Sequence, residues 1–210
     1  MDTKMINNLN PTVVSPGESI ECFEDISWEK KIQIQQGGSF QYLCIVKNAQ
    51  LDMKIEIQSG EVQGKISFLI PTGEKNTTIH LVNEIQHSEV ELEIELISLQ
   101  KDKTPLLIDG AIKVAPHVQN VKANLMEEVY LLWDEIKTEV NPALFIDSHE
   151  VKTSHGTKIQ RIPKESLFYL QSRGLNHQRA EEFFMENVVM SVLTPFSLSD
   201  EEKNQIFTFL

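Results

Sequence analysis

Between Glu29 and about Val140 the chain alternates aliphatic and polar residues again and again, with no strong helical pattern to interrupt it. Leu51, Met53, Ile55 and Ile57 are separated by Asp52, Lys54 and Glu56; Val90, Leu92, Ile94 and Leu96 are separated by Glu91, Glu93 and Glu95. Successive side chains of a strand face opposite sides, so a period of two puts the aliphatic residues on a core face and the glutamates in water. Turn residues punctuate the runs at Gln36-Gly37-Gly38, Ser59-Gly60-Glu61, Pro71-Thr72-Gly73, Lys101-Asp102-Lys103 and Asp109-Gly110. Many short strands without helices between them imply a sandwich, a barrel or a stacked β-solenoid. Ahead of them, residues 1–28 carry Asn10-Pro11 and Ser15-Pro16-Gly17 breaks and are expected to form an irregular lead-in with a short strand or two.

The pattern changes after Ile162. Pro163 suits a first helical position, where its missing N–H costs nothing, and Gly174 suits the residue just past a helix end. Asn176 can cap a second helix reaching about Leu193, with Ala180, Phe183, Phe184, Val188 and Met190 or Ser191 expected on its buried side. Ser199-Asp200-Glu201-Glu202 has capping-box spacing before a last helix from Lys203 to Phe209. The expected organisation is a β body over 29–161 and a helical subdomain over 162–210.

The sequence carries 40% hydrophobic and 24% charged residues, an ordinary globular balance. A net charge of −12 argues against nucleic acid as a partner, since phosphate binding needs clustered Lys and Arg. Met1–Asn10 has no apolar core of a secretory signal, and no apolar run approaches the ~20 residues of a membrane span. A cytoplasmic protein away from the membrane is expected. Cys22 and Cys44 are the only cysteines; C-x-x-C spacing is absent, and Cys44 lies in an apolar run that predicts a buried thiol. Nucleotide-binding glycine motifs and H-E-x-x-H are also absent.

Residues 142–174 are the most distinctive stretch. Pro142, Leu144, Ile146, Val151, Ser154, His155 and Gly156, followed by Leu167, Phe168, Tyr169, Leu170, Ser172, Arg173 and Gly174, fall in the order P-x-L-x-I, V-x-x-S-H-G, L-F-Y-L-x-S-R-G. This order resembles the C-terminal signature of the SufB/SufD family, scaffold subunits of iron–sulfur cluster assembly. The likeness extends upstream through Leu107–Val114, Val118–Asn124 and Val129–Trp133, and His87 resembles a histidine of the preceding coil. Thr153 departs from it: many members have a cysteine there. Among the architectures left open, the resemblance selects a right-handed parallel β-helix closed by a small helical tail.

The resemblance also implies sites. His155 is the candidate metal or cluster residue, because a neutral imidazole is a good iron ligand. The competing expectation is a structural S-H-G turn, with Gly156 and Gly174 as turn glycines. Phe168, Tyr169, Arg173, Gln178, Arg179 and Glu182 are the candidate docking residues for a SufC-type ABC ATPase, although aromatics at such spacing are more often core. The remaining implications are a SufB/SufD-like partner, as a homo- or heterodimer, and no resident cofactor. A transient iron or iron–sulfur cluster would be shared with that partner. A SufD-like, non-enzymatic subunit is expected, with a degenerate, purely structural paralogue as the alternative. Two enzyme readings are weaker. A Ser154-His155-Asp147 triad fails because adjacent strand residues face opposite sides. The Glu91, Glu93 and Glu95 row lacks the aromatic platform a carbohydrate-active solenoid needs.

Overall fold

The computed structural model describes residues 12–24, 27–71, 73, 75–101, 103–132 and 137–209. Residues 1–11 of the expected lead-in, Thr72, Asp102 and Trp133 lie outside them. The strands are β1 (Thr12–Val14), β2 (Gly17–Glu24), β3 (Ser27–Ile34), β4 (Gly38–Lys47), β5 (Gln50–Ile57), β6 (Val62–Pro71), β7 (Thr77–Ile85), β8 (Val90–Gln100), β9 (Leu106–Val114), β10 (Gln119–Leu131), β11 (Thr138–Val140), β12 (Ala143–Ile146) and β13 (Glu150–Arg161). Odd and even strands separate into two sheets. One runs β1-β3-β5-β7-β9-β11, with β12 also on β9; the other runs β2-β4-β6-β8-β10-β13. Every strand pairing within the two sheets is parallel. A chain that alternates between two parallel sheets winds as a β-helix, the architecture that the resemblance implied. The ladders include β1 and β2, so they begin ahead of Glu29.

Parallel register stacks like on like. Tyr42, Ile66, Ile94, Leu125 and His155 form one column along the second sheet. The first four members point into the lumen and are at most 1% exposed. Met53, Leu81 and Gly110 form a column on the facing sheet. Each wholly buried aliphatic side chain contributes about 1.5–3 kcal/mol over an exposed one, so the stacked lumen is the main source of stability.

A second core lies outside the lumen. Leu43, Ile45, Leu69 and Leu99 point outward from the second sheet and are nevertheless buried. Their cover is α2 (His177–Leu193), through Met185, Val188, Val189, Val192 and Leu193. This explains the continuous apolar runs Leu43–Val46 and Phe68–Ile70, because strands buried on both faces lose their alternation. The other helices are α1 (Lys164–Ser172) and α3 (Asp200–Phe209).

Local signals at the helix ends act as their chemistry dictates. The Asn176 side chain accepts the Arg179 N–H, and the Ser199 and Glu202 side chains cap each other's backbone. Gly174 adopts φ +96° at the end of α1. Pro163 is the cap of α1 rather than its first residue, and α3 starts at Asp200 rather than Lys203. Three further expectations are corrected. Asp109-Gly110 is no turn: both residues lie within β9. Ser154-His155-Gly156 is no turn either: it runs straight through β13, and Gly156 is in register with Met126. The glycine there serves close packing, since a Cβ would meet the Met126 Cε at 3.1 Å. Finally, the buried stripe of α2 is rotated from the expected one. Ala180 and Val188 are buried, but Phe183 and Met190 are 40% and 36% exposed, because the valines at 188, 189 and 192 meet the sheet instead.

The lumen assignment has a direct consequence. Ile94→Ala should cost about 2–5 kcal/mol in urea unfolding, whereas Glu93→Ala next to it should stay within about 0.5 kcal/mol. Equal effects at the two positions would contradict the inward–outward assignment.

Candidate functional site

In a solenoid each inward residue is covered by the next coil. On β13 the inward positions are Val151, Thr153, His155, Thr157 and Ile159, in register with the lumen residues Val121, Ala123, Leu125, Glu127 and Val129 of β10. Among the described residues no strand stacks beyond β13. Ile159 is consequently 47% exposed and His155 is exposed, while Val151, Leu144 and Ile146 are only partly buried. The last coil thus presents aliphatic, hydroxyl and imidazole side chains that a further layer would cover. Ser154 faces the other way and donates to the Asn124 Oδ1 at 2.7 Å. The two residues of the S-H pair therefore work on different surfaces.

Directly beneath this end sits a group that the sequence reading missed. Glu127 is fully buried in the lumen. Thr157 of the last coil donates to its Oε2 at 3.2 Å. Its Oε1 has no hydrogen-bond partner among the described residues and occupies the space left by Gly110; a Cβ there would approach it to 2.2 Å. Burial pushes its carboxyl up to about 7, the Thr157 hydrogen bond opposes this, and the charge of Asp109 adds to it. The signal was readable: Glu127 interrupts the aliphatic register Val121, Ala123, Leu125, Val129, and Gly110 interrupts Ile108, Ile112, Val114.

The thiols are elsewhere. Cys44 is buried in the lumen, and burial holds its ionisation well above the usual range. Cys22 is raised to about 11 by burial and by the neighbouring Glu21. Four strand spacings separate β4 from β13, roughly 19 Å, so Cys44 and His155 cannot share a ligand. Near Cys44 the buried Glu21 accepts from Lys30 at 2.7 Å and from the Tyr42 hydroxyl, which leaves that polar cluster internally paired. Among the described residues no three His, Cys, Asp or Glu side chains converge as a metal-binding group.

The docking candidates lie on the helices or, for Arg173, at the C-cap of α1. Phe168 is 74% and Tyr169 57% exposed, which corrects the core reading of these aromatics. The Arg173 guanidinium stands 5.3 Å from the Tyr169 ring centre. On α2, Gln178 donates to Glu182 at 3.0 Å, and Arg179 pairs with Glu186 at 2.7 Å and Glu182 at 3.3 Å. Phe183 joins the two groups. It lines a small hollow with Tyr169 and also a groove of about 1070 Å³ whose apolar floor includes Leu99, Val189 and Phe207. Among the described residues no helix is long and apolar enough to cross a membrane.

Residues 31–188 match the family described as SUF system FeS cluster assembly, SufBD core domain. The chain is 32% identical over 88 residues to the iron-sulfur cluster assembly protein SufD of Escherichia coli, covering 42% of this chain and 21% of that protein. It is 23% identical over 108 residues to SufD of Bacillus subtilis, covering 51% and 25%. It is 29% identical over 96 residues to a SufBD family protein of Pyrococcus horikoshii, covering 46% and 21%. The aligned stretches thus span about a quarter of these relatives or less.

Glu127 makes stability depend on pH. Its ordinary carboxyl value is 4.5 and its folded value about 7, so the folded chain holds a proton that the unfolded chain releases. The stabilisation is full below about 4.5 and declines as pH rises toward 7, by something on the order of 3 kcal/mol. Glu127→Gln should remove this decline, so the variant gains on the parent between pH 5 and pH 8 in urea unfolding. Parallel curves for the two proteins would contradict it.

A family match over most of the chain and a parallel β-helix agree: the chain belongs to the SufBD core family of the SUF iron–sulfur cluster assembly system.

Proposed function

We propose that the chain is a non-enzymatic, SufD-like subunit of a SUF-type assembly complex. It pairs through the last coil with a SufB/SufD-like subunit and docks a SufC-type ATPase on its helices. The observation that carries this reading is the pair of unfinished surfaces. The β13 end leaves Val151, His155 and Ile159 without a covering layer, and the helical face leaves Phe168, Tyr169 and Phe183 in water. Exposed apolar patches of this kind mark interaction sites. The chain's own ligands favour a supporting role over a cluster-bearing one. Iron–sulfur clusters need thiolates, Thr153 stands at the position where many family members have a cysteine, and both cysteines are held protonated. A cluster passing through the complex is cargo, and His155 is the one ligand that this chain would add to a partner's cysteines. Leu125 lies directly beneath that histidine in the ladder, and Glu127, which accepts from Thr157, is the next lumen residue along β10.

Two experiments test the reading. Co-expression with a SufC-type ATPase should give a stable complex, and Phe168→Ala with Phe183→Ala should weaken it at least ~tenfold, one to two apolar anchors' worth. A clean failure to bind any such ATPase of the same cell would sink the docking half. Anaerobic reconstitution of the isolated chain with iron and sulfide should leave it colourless. A stable chromophore that survives His155→Ala would overturn the supporting role.

A further inference from the structure

β13 is an edge strand, and its free edge is basic in a chain of net charge −12. Lys152 and Lys158 point outward and are exposed, with no ion pair to any described residue. Lys122 lies beside Lys152 in the ladder; Glu128 lies beside Lys158 but accepts the Tyr130 hydroxyl at 2.9 Å. An exposed edge of this length invites another strand unless something opposes it.

A second copy is the simplest candidate, and the residues argue against it. Two identical strands related by a two-fold axis pair antiparallel, and the centre of the pairing decides which residues face each other. Centred on His155, the inward face matches well, with Val151 against Ile159 and Thr153 against Thr157. The same centre sets Lys152 against Lys158 on the outward face, twice over. Moving the centre to Gly156 separates the lysines but puts Arg161 against Val151 and Ile159 against Thr153. Moving it to Ser154 lets Glu150 meet Lys158, yet pushes Ile159 beyond the end of the opposing strand. The register favoured by the apolar face is the one that the charges oppose.

We infer that Lys152 and Lys158 make β13 reject a second copy of itself and select a partner edge strand carrying carboxylates six residues apart, one facing each lysine. Like charges directly opposite destabilise a strand pair and opposite charges stabilise it, so the lysines set partner choice more than gross affinity. The inference deepens the pairing half of the proposed function and rests on it, but its test needs neither the ATPase nor a cluster.

The test is sedimentation of the 210-residue chain at moderate salt. The parent should remain a monomer. Lys152→Glu alone places a carboxylate opposite Lys158 in both halves of the His155-centred pair, and Lys158→Glu alone does the same for Lys152. Each single variant should dimerise at least ~tenfold more tightly than the parent, equivalent to about 1.4 kcal/mol. The double variant again opposes like charges and should return to monomer. Raising the salt toward 1 M, where the Debye length falls to about 3 Å, should shrink the differences. All three changes are at exposed positions, and unchanged circular dichroism separates misfolding from altered pairing. A parent that dimerises as tightly as the single variants would overturn the inference, as would single variants that stay monomeric or a double variant that dimerises like them. If the single variants dimerise but no SufB-like chain binds the parent, the charge rule stands and the pairing partner of the proposed function falls.

Discussion

The parallel backbone ladder is the constraint from which the rest follows. In a solenoid each strand bonds to the strand one coil before and one coil after, and the register stacks residue types into columns. A single coil cannot bury its inward face; only the neighbouring coils do so. Tyr42, Ile66, Ile94 and Leu125 illustrate the gain, each sealed by the next. The same rule leaves the last coil uncovered. His155 continues the column but has no successor among the described residues, and Val151 and Ile159 share its position. The last coil leaves its inward face uncovered for the same physical reason that the middle coils are stable.

The helical tail solves a different problem and leaves a second one. α2 covers the outward apolar residues Leu43, Ile45, Leu69 and Leu99, which could not face water as a group. Covering them uses one stripe of the helix, and Phe183 and Met190 on the neighbouring stripe stay exposed, with Phe183 lining a hollow together with Tyr169 of α1. The two unfinished surfaces are thus products of one packing arrangement: a lumen closed by stacking and an outer face closed by a helix.

Much of this was readable from residues. The alternation at 51–57 and 90–96 is the lumen face itself, and the family signature separated a solenoid from a sandwich or barrel. Asn176 and the Ser199–Glu202 box cap their helices as capping chemistry requires. The misreadings have physical causes. Ser154-His155-Gly156 and Asp109-Gly110 look like turns because glycine and small polar residues usually mark them. Here both glycines sit in strands, Gly156 where the Met126 side chain comes close and Gly110 where the Glu127 carboxylate reaches across the lumen. Which stripe of α2 is buried could not be read from the helix alone, because it carries more apolar residues than the sheet can cover. Glu127 escaped notice although it stood in an aliphatic register, because a glutamate in a strand is ordinarily read as solvent-facing.

Hydrogen exchange across β13 tests the open-end arrangement most directly. In the free chain, the amides of Glu150–Arg161 that do not bond to β10 should exchange quickly, while those of β8 and β10 exchange slowly. Adding a SufB-like subunit should slow the fast β13 amides and leave the lumen strands unchanged. Protection of those amides in the free chain, or protection on binding that falls elsewhere while β13 stays fast, would contradict a solenoid that is finished by its partner.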